Sequence, residues 1–233
     1  MDISQFNLHS VNFELRYDHA YLLWDKAGAI WHDIRKANPN VKLREAGPAK
    51  VIMTIDRRFQ LTIELEKLYI AVFTPPSNID DFIDLCVSVV RTSVRTLEIP
   101  LFSRIGLRVI YRLNFESREE ASNALISTRM MKIPEGKHFG IEGAPRLPHY
   151  AIRWEGDKLG AQVIVQAQER KILVEPALGE TIVDPIEKDL FELVFDIDYF
   201  TIGTVEVGQF RASEWITNGM RVIRRDSSAF LGG

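Results

Sequence analysis

The chain has 233 residues, of which 46% are hydrophobic and 26% are charged, and this composition is typical of a globular protein with a substantial core. Its formal net charge of −3 provides no overall attraction to nucleic acid or to an anionic membrane, so a basic site would have to be local. The single cysteine, Cys86, excludes an internal disulfide, and its apolar neighbours predict a buried thiol in a reducing compartment rather than a nucleophile.

The first elements along the chain are a strand and a long helix. Residues 11–17 alternate between apolar and polar side chains, which predicts the strand. Asp18 is a suitable N-cap for a helix that we expect to continue to about Ala37 and to stop at Asn38-Pro39-Asn40. An aromatic stripe follows helical spacing on this helix: Tyr21, Trp24, Gly28, Trp31 and Ile34. We predict that the stripe packs in the core, and a ligand platform built on its two tryptophans is the alternative.

A group of three short alternating segments follows, and their close spacing predicts an antiparallel meander. The segments are residues 49–55, 59–66 and 68–74. Ser77 with Asp80 three residues later resembles a capping box, which predicts a second helix over residues 78–97. The same pattern recurs at Ser117 and Glu120 and predicts a third helix to about Met131.

The most regular pattern in the chain covers residues 103–115. Every odd position from Ile105 to Phe115 is apolar and most even positions are polar, so this period of two predicts one long strand with a buried face and a polar face. The polar face carries Arg104, Arg108 and Arg112. Residues four apart on a strand are roughly 13 Å apart, so these arginines form a row of separated charges. Gly106 lies in the same row, and a glycine within a strand often marks a bulge or a close approach to the backbone.

Two interpretations of the arginine row stay open. In one, Arg104, Arg108 and Arg112, with Gly106 between them, bind an anion or nucleic acid. In the other, which we favour, the arginines pair with carboxylates on neighbouring strands. The sequence supplies such carboxylates in two alternating segments, residues 190–200 with Glu192, Asp196 and Asp198 on one face, and residues 59–66.

The second half of the chain is richer in strands. Residues 134–148 are crowded with glycine and proline and predict a linker or a long loop, and the flanking His138 and His149 make a mobile binding element the alternative to a plain surface loop. The elements that we predict beyond it are strands over residues 150–155, 162–168 and 171–175, with a tight turn at Glu169-Arg170, then the acidic strand over residues 190–200 and a helix over residues 209–225. The terminal Gly232-Gly233 resembles the tails of ubiquitin-like modifiers, but two glycines also occur by chance, and chance is the explanation that we favour.

Asp196 and Asp198 are the weak catalytic candidates. Two carboxylates on one strand face are the arrangement that a divalent metal needs in some transferases. Acids at this spacing are common by chance and no glycine-rich phosphate loop accompanies them, so we favour a structural acidic face. The five histidines lack metal-ligand spacing, and no nucleophile-elbow or dinucleotide-binding motif occurs. We therefore expect no metal site and no cofactor.

The arginine strand is similar to the signature of a sporadically distributed family of uncharacterised prokaryotic proteins of comparable length. In that family a strand of the type R-I-G-L-R-Y-x-N-R precedes a region of hairpins, a D-I-D-x-Y strand and a C-terminal helix. Here Arg104-Ile105-Gly106-Leu107-Arg108 and Arg112 match the first motif and Asp196-Ile197-Asp198 matches the second, whereas Tyr111 stands where the family tends to have Asn. The resemblance implies no activity and no catalytic residues, and the patchy distribution associates the family with mobile genes such as defence or toxin-antitoxin cassettes.

These patterns together predict an α+β protein with a mainly antiparallel sheet and helices packed on one face. The sequence also allows two related subdomains, residues 1–133 and 149–233, joined by residues 134–148. We expect a cytoplasmic, non-enzymatic binding or assembly component of a bacterial multi-gene system, with another protein subunit as its partner and no membrane span. The alternative is an enzyme that binds nucleic acid or a nucleotide, using the arginine row for phosphates and Asp196 with Asp198 for a metal.

Overall fold

A computed structural model of the chain describes residues 1–75, 78–128, 130, 141, 145–174 and 186–232. The helices are α1 (Leu23–Ala37), α2 (Asp80–Leu97), α3 (Arg118–Ile126) and α4 (Ala212–Gly232). The strands are β1 (Asn7–Arg16), β2 (Val41–Gly47), β3 (Lys50–Ile55), β4 (Phe59–Glu64), β5 (Lys67–Phe73), β6 (Leu101–Phe102), β7 (Arg104–Phe115), β8 (His149–Glu155), β9 (Leu159–Val174), β10 (Ile186–Thr201) and β11 (Val205–Glu206). Nine strands form one sheet in the order β2-β3-β4-β5-β1-β7-β10-β9-β8, and β6 pairs separately with β11.

The long strands β1, β7 and β10 form the centre of this antiparallel sheet. The register places Val109 of β7 opposite Val11 of β1 on one side and Ile197 of β10 on the other. The odd-numbered residues of β7 from Ile105 to Tyr111 are buried, whereas Arg108 is exposed. The prediction of one long strand with a buried face and a polar face is therefore confirmed.

Helices lie on one face of the sheet, so the α+β prediction is also confirmed. α1 packs against α2 and against strands β2 and β3, while α4 packs against α2, β7 and β10. At Gly219 the α4 backbone comes so close to β7 that an added Cβ would lie 2.7 Å from Leu107 Cδ2. Buried side chains of these helices and of the sheet form one core, which includes Phe13, Phe82 and Phe195. The even-numbered residues of β7 and β10, and those of β1 from Ser10 onward, lie on the opposite side, which we call the polar face.

In the first half of the chain one strand was not predicted and one predicted cap is wrong. The strand is β2, where a register shift between Leu43 and Glu45 breaks the alternation and most residues are exposed at the sheet edge. Asp18 does not cap α1, which begins at Leu23 with no side-chain cap. The preceding segment is held differently, since the Ala20 N–H donates a hydrogen bond of 2.8 Å to the Leu65 carbonyl in the turn before β5.

The predicted turn at Glu169-Arg170 is also wrong. β9 continues through both residues and pairs with β10 from Leu159 opposite Thr201 to Val174 opposite Ile186. Adjacent strand residues point to opposite faces, so both charges find partners across the sheet. Glu169 pairs with Arg118 of α3, and Arg170 pairs with Glu192 of β10.

Other predicted boundaries agree or shift by a few residues. The three-strand meander is confirmed as β3, β4 and β5, and the Ser117 hydroxyl accepts a hydrogen bond of 3.1 Å from the Glu120 N–H at the start of α3. α3 ends earlier than predicted, whereas α4 extends to Gly232 because Ser227 and Leu231 continue its buried side. Ser77, His138, Gly233 and most of the predicted 134–148 loop lie outside the described residues. Strands from before and after that loop join the same sheet through the pairing of β7 with β10.

Within the described ranges, no helix combines the length and the hydropathy needed to cross a membrane.

Candidate functional site

The polar face contains the arginine row, and its first member lies between two acidic residues. Arg104 contacts Glu14 of β1 at 3.0 Å through Nη1 and Asp198 of β10 at 2.7 Å through Nη2. Its guanidinium carbon also lies 4.7 Å from the centre of the Phe200 ring, a distance that allows a cation–π contact. Asp198 belongs to the acidic strand that was predicted to pair with the row. The second partner is Glu14 rather than a residue of segment 59–66, because β4 is not adjacent to β7.

The other two arginines pair with carboxylates of β10. Arg108 donates two hydrogen bonds to Asp196, from Nε to Oδ1 at 2.8 Å and from Nη2 to Oδ2 at 2.5 Å. Arg112 contacts Glu192 at 3.1 Å. The prediction that carboxylates of the acidic strand pair with the row is therefore confirmed. The Arg108 side chain is 52% exposed and Asp196 is 10% exposed, so the carboxylate is the more deeply buried partner.

Gly106 makes room for Arg104. A Cβ atom at position 106 would lie 2.5 Å from Arg104 Nη1, so the guanidinium rests directly on the glycine backbone. Phe200 stands opposite Gly106 on β10 and supports the other side of the guanidinium. The close approach that a glycine in a strand indicates thus comes from an arginine of the same chain. A cavity of about 120 Å³ remains beside this contact, lined by residues that include Asn12, Tyr69 and Arg108.

Asp196 and Asp198 share the polar face, as predicted, and each contacts an arginine of β7. No cluster of three His, Cys, Asp or Glu side chains that could hold a metal ion occurs in the described part of the chain. Hydrogen bonds between charged partners are stronger than those between neutral ones, so the arrangement can hold two neighbouring strands in register.

A third carboxylate, Glu192, is buried at the far end of the row. Its side chain is 3% exposed and accepts hydrogen bonds from Arg112 at 3.1 Å, Arg170 at 3.2 Å and Gln168 at 2.9 Å. Burial raises the pKa of Glu192, but the Gln168 hydrogen bond and the charges of Arg112 and Arg170 outweigh burial and hold the pKa below its ordinary value. The glutamate is therefore ionised at neutral pH.

His9 belongs to the same cluster. It lies at the register shift of β1 between Leu8 and Ser10, where the charges of Arg112, Glu192 and Arg170 act on it. Burial lowers the pKa of His9 and the positive charge of Arg112 lowers it further. The folded protein therefore favours the neutral imidazole.

We expect His9 to make the protein less stable in mild acid. Since its pKa is lower in the folded state than the ordinary value of 6.5, the stability contributed by the neutral ring is present above that pH and is lost as the pH falls through the folded pKa. Urea unfolding of wild type and His9→Gln at about pH 7.5 and about pH 5.5 measures this loss. His9→Gln should lose less stability between these pH values than wild type. An exposed-histidine control, His32→Gln, should behave as wild type, and equal pH dependence of all three proteins would contradict the assignment.

The prediction that the stripe of Tyr21, Trp24, Gly28, Trp31 and Ile34 packs in the core holds for Ile34, which is buried, and in part for Trp31, which packs against the core, but it is wrong for Tyr21 and Trp24. We keep the name aromatic stripe for Tyr21, which precedes α1, and for Trp24, Gly28 and Trp31 of α1. Tyr21 is 60% exposed and Trp24 is 57% exposed. The buried side of α1 consists of Leu23, Ala27, Ile30 and Ile34. With 3.6 residues per turn, these residues lie about 100° around the helix from the stripe. The sequence contained an indication of this buried side, because Leu23, Ala27, Ile30 and Ile34 are all aliphatic and also follow helical spacing.

The exposed aromatic rings form a continuous cluster. The His19 ring stacks on Tyr21 with centroids 5.4 Å apart, and Tyr21 meets Trp24 edge to face at 5.6 Å. The ion pairs Lys26–Glu98 and Asp33–Arg95 tie α1 to α2. Lys26 and Asp33 are on the other side of the helix from the stripe, so the stripe faces away from α2.

Gly28 forms a notch in the middle of the stripe. It is exposed in the interior of α1, and a Cβ added there would meet nothing within 4 Å. A glycine in a helix interior is less favourable than alanine by about 1 kcal/mol, and no contact in the described structure requires it. The helix C-terminal end beyond the stripe is basic, since His32, Arg35, Lys36 and Pro39 line a shallow depression. Arg35 also lies 5.2 Å above the Trp31 ring.

Cys86 and His149, the remaining residues that the sequence singled out, lie outside the polar face and the aromatic stripe. Cys86 is buried in α2, as expected, and burial raises the pKa of its thiol well above the ordinary value. His149 begins strand β8 at the sheet edge and is exposed. Neither residue contributes to the polar face or to the aromatic stripe.

A scan against protein-family models finds no match for this chain, and a search of curated proteins finds none either.

Proposed function

We propose that the chain is a non-enzymatic binding component that holds a protein partner on the aromatic stripe of α1. The observation that carries this proposal is the exposure of Tyr21 and Trp24 by more than half of their surface. Tryptophan and tyrosine are enriched at the centres of protein interfaces, where they account for much of the binding energy. Exposed rings that contact one another form a preorganised apolar surface, so little side-chain entropy is lost when a partner covers them.

The stripe and its surroundings indicate the chemistry of the partner. The notch at Gly28, between Trp24 and Trp31, admits a bulky apolar side chain close to the helix backbone. The basic depression formed with Arg35 and Lys36 favours carboxylates beside that side chain. We therefore expect the partner to present a segment that carries bulky apolar and acidic side chains.

The biological setting of this proposal rests on the sequence. The resemblance of the arginine strand to a sporadically distributed prokaryotic family is the ground for placing the protein in a cytoplasmic, multi-gene assembly such as a defence or toxin-antitoxin system. A single buried cysteine agrees with a reducing compartment. The polar face then has a structural role, in which paired charges maintain the sheet that carries α1.

Isolation of the tagged protein from its own host, followed by binding measurements with the purified co-isolated protein, tests the proposal. The variants are Trp24→Ala and Gly28→Ala. We expect Trp24→Ala to weaken the affinity by about 30-fold, which corresponds to a loss of about 2 kcal/mol. We expect Gly28→Ala to weaken binding because a methyl group fills the notch, while it raises the free energy of unfolding by up to about 1 kcal/mol. A purely structural role for Gly28 cannot produce opposite changes of this kind.

Matched controls separate the stripe from general surface effects. Leu101→Ala removes another exposed apolar side chain, and Gly208→Ala adds a methyl group at an exposed glycine that also has nothing within 4 Å. Both controls should bind as wild type. A stoichiometric partner that binds Trp24→Ala and Gly28→Ala with unchanged affinity would refute the proposal, and so would a co-isolated nucleotide or nucleic acid without a protein.

The alternative function, an enzyme that binds nucleic acid or a nucleotide, relies on Arg104, Arg108 and Arg112 for phosphates and on Asp196 with Asp198 for a metal. One observation favours it, namely that half of the Arg108 side chain is accessible on the polar face. Phosphate binding by this row requires each arginine to exchange its carboxylate partner for the ligand. Such an exchange predicts that Arg108→Ala reduces anion binding more than it reduces stability.

A further inference from the structure

The two edges of the nine-stranded sheet differ in how they are protected. β2 carries Lys42, Arg44 and Glu45 and contains a register shift, and charged residues and bulges are the usual means of preventing edge pairing. β8 pairs with β9 in a continuous register from His149 opposite Gln166 to Glu155 opposite Gly160. Its sequence HYAIRWE contains no proline or lysine. β8 carries one charged pair, Arg153 with Glu155, but its pairing has no register shift, and no second strand of the described part of the chain pairs with its outer side.

Hydrogen bonds at the two ends of β8 determine which backbone groups face outward. The Ala167 N–H donates to the Pro148 carbonyl at 3.0 Å, and the Gly156 N–H donates to the Leu159 carbonyl at 2.9 Å. Hydrogen-bonded pairs alternate along an antiparallel ladder, so the even-numbered residues of β8 bond to β9. The backbone groups of His149, Ala151, Arg153 and Glu155 point away from β9, and no backbone partner for them occurs among the described residues.

The helix side of the same edge carries exposed aromatic surface. Trp154 is 45% exposed and meets Phe230 of α4 edge to face at 6.1 Å, and Tyr150 lies 6.2 Å from the same ring. A cavity of about 320 Å³ opens beside these rings, lined mainly by apolar residues that include Val163 and Phe195. The apolar layer thus continues to the sheet edge, which is typical of a surface that another chain covers.

We propose that β8 pairs antiparallel with β8 of a second copy of the chain, about a twofold axis at Ile152, so that two nine-stranded sheets become one. In this register His149 lies opposite Glu155 of the second copy, Tyr150 lies opposite Trp154, and Ala151 lies opposite Arg153. Each pairing occurs twice because the interface is isologous. Hydrogen-bonding pairs such as His–Glu and aromatic pairs directly across an antiparallel ladder are stabilising.

Two requirements select this register, namely the alternation of hydrogen bonds along the strand and the charges of the side chains. The outward-facing N–H and C=O groups belong to odd-numbered residues, and these residues lie opposite one another only when the twofold axis passes through a residue rather than between two. An axis at Arg153 would set that arginine against itself, and an axis at Ala151 would set it against His149 of the second copy. The axis at Ile152 avoids both contacts of Arg153 with a basic side chain and adds two His–Glu pairs. The strand is therefore complementary to itself, which is the requirement for a second copy as the occupant.

The mass of the full chain in solution, measured by light scattering across a concentration series, tests this proposal. We expect a dimer of twice the 26.7 kDa chain mass. Ala151→Pro removes an outward N–H while the bonds to β9 stay intact, so it should produce a folded monomer. His149→Glu should weaken the dimer by at least about tenfold because it sets two carboxylates opposite each other, and adding Glu155→His to it should restore dimerisation.

Two results would overturn the proposal. One is a wild-type monomer throughout the concentration series. The other is a dimer whose dissociation constant is unchanged by His149→Glu. This substitution lies on an exposed edge, so it tests the register even if Ala151→Pro unfolds the chain. Helix α1, which carries Trp24, packs beside β2 at the opposite edge of the sheet, so Trp24→Ala should leave the dimer unchanged. The two proposals can therefore fail independently.

Discussion

Arg108→Ala is expected to lower the free energy of unfolding by about 2–3 kcal/mol. The substitution leaves Asp196, whose side chain is 10% exposed, without the arginine that donates both of its hydrogen bonds from β7. Removing one partner of a fully buried ion pair costs about 3–5 kcal/mol, because the remaining charge stays buried without compensation. We place Arg108 below that range, since half of its side chain is in water and solvent can reach the vacated position. Urea unfolding at neutral pH measures the change.

A matched control and a second variant make this prediction specific. Arg225→Ala removes an arginine from an exposed ion pair with Asp226 and should leave stability almost unchanged. Replacing both members, Arg108→Ala with Asp196→Ala, should be less destabilising than the two single changes added together. If Arg108→Ala unfolds as wild type but loses affinity for a phosphate-bearing ligand, the row has a binding role and the alternative function gains support.

Gly160→Ala is expected to lower the free energy of unfolding by about 2 kcal/mol. Gly160 of β9 lies opposite Phe200 of β10, and an added Cβ would be 2.6 Å from two atoms of the Phe200 ring and 3.2 Å from the Trp154 carbonyl oxygen. The ring has little freedom to move because Arg104 and Arg153 lie over it at 4.7 Å and 4.9 Å. Overpacking of this kind costs about 1–3 kcal/mol, which exceeds the entropy gained by replacing glycine. Thermal or urea unfolding detects the loss.

The control for Gly160→Ala lies in the same hairpin. An added Cβ at Gly156 would have only an ordinary contact, 3.5 Å from the Leu159 carbonyl oxygen, so Gly156→Ala should change stability little. In a Phe200→Ala background the further change Gly160→Ala should cost much less, because the two ring atoms at 2.6 Å are gone and only the contact of 3.2 Å with the Trp154 carbonyl oxygen stays. A full loss of stability in that background would show that the strain has another origin.

Parts of the polar face could be predicted from the sequence, because the side chains of a strand point alternately to its two faces. A period of two is enough to assign Arg104, Arg108 and Arg112 to one face and the acids of residues 190–200 to another. It does not reveal which strands are neighbours, so Glu14 was missed as a partner of Arg104. Strand order depends on how distant segments pack, and the same polar pattern is compatible with many orders.

The aromatic stripe illustrates a different limit. Tyr21, Trp24 and Trp31 satisfy helical spacing as well as the aliphatic residues of α1 do, and hydrophobicity alone favoured burying the larger rings. The sheet decides between the two sides of the helix, because only one side can face it and the branched aliphatic residues fill that space more closely. The exposure of Tyr21 and Trp24 could therefore be recognised only once the structure showed which side of α1 is buried.

Local pattern therefore determined the strand β7, the meander, the helices and the α+β class, since each depends on periodicity within one segment. Tertiary structure decided the path of β9 through Glu169 and Arg170, the pairing of Glu14 with Arg104 and the position of β8 at the edge of the described sheet. These features depend on contacts between residues far apart in the chain, and such contacts are selected by packing and charge in three dimensions.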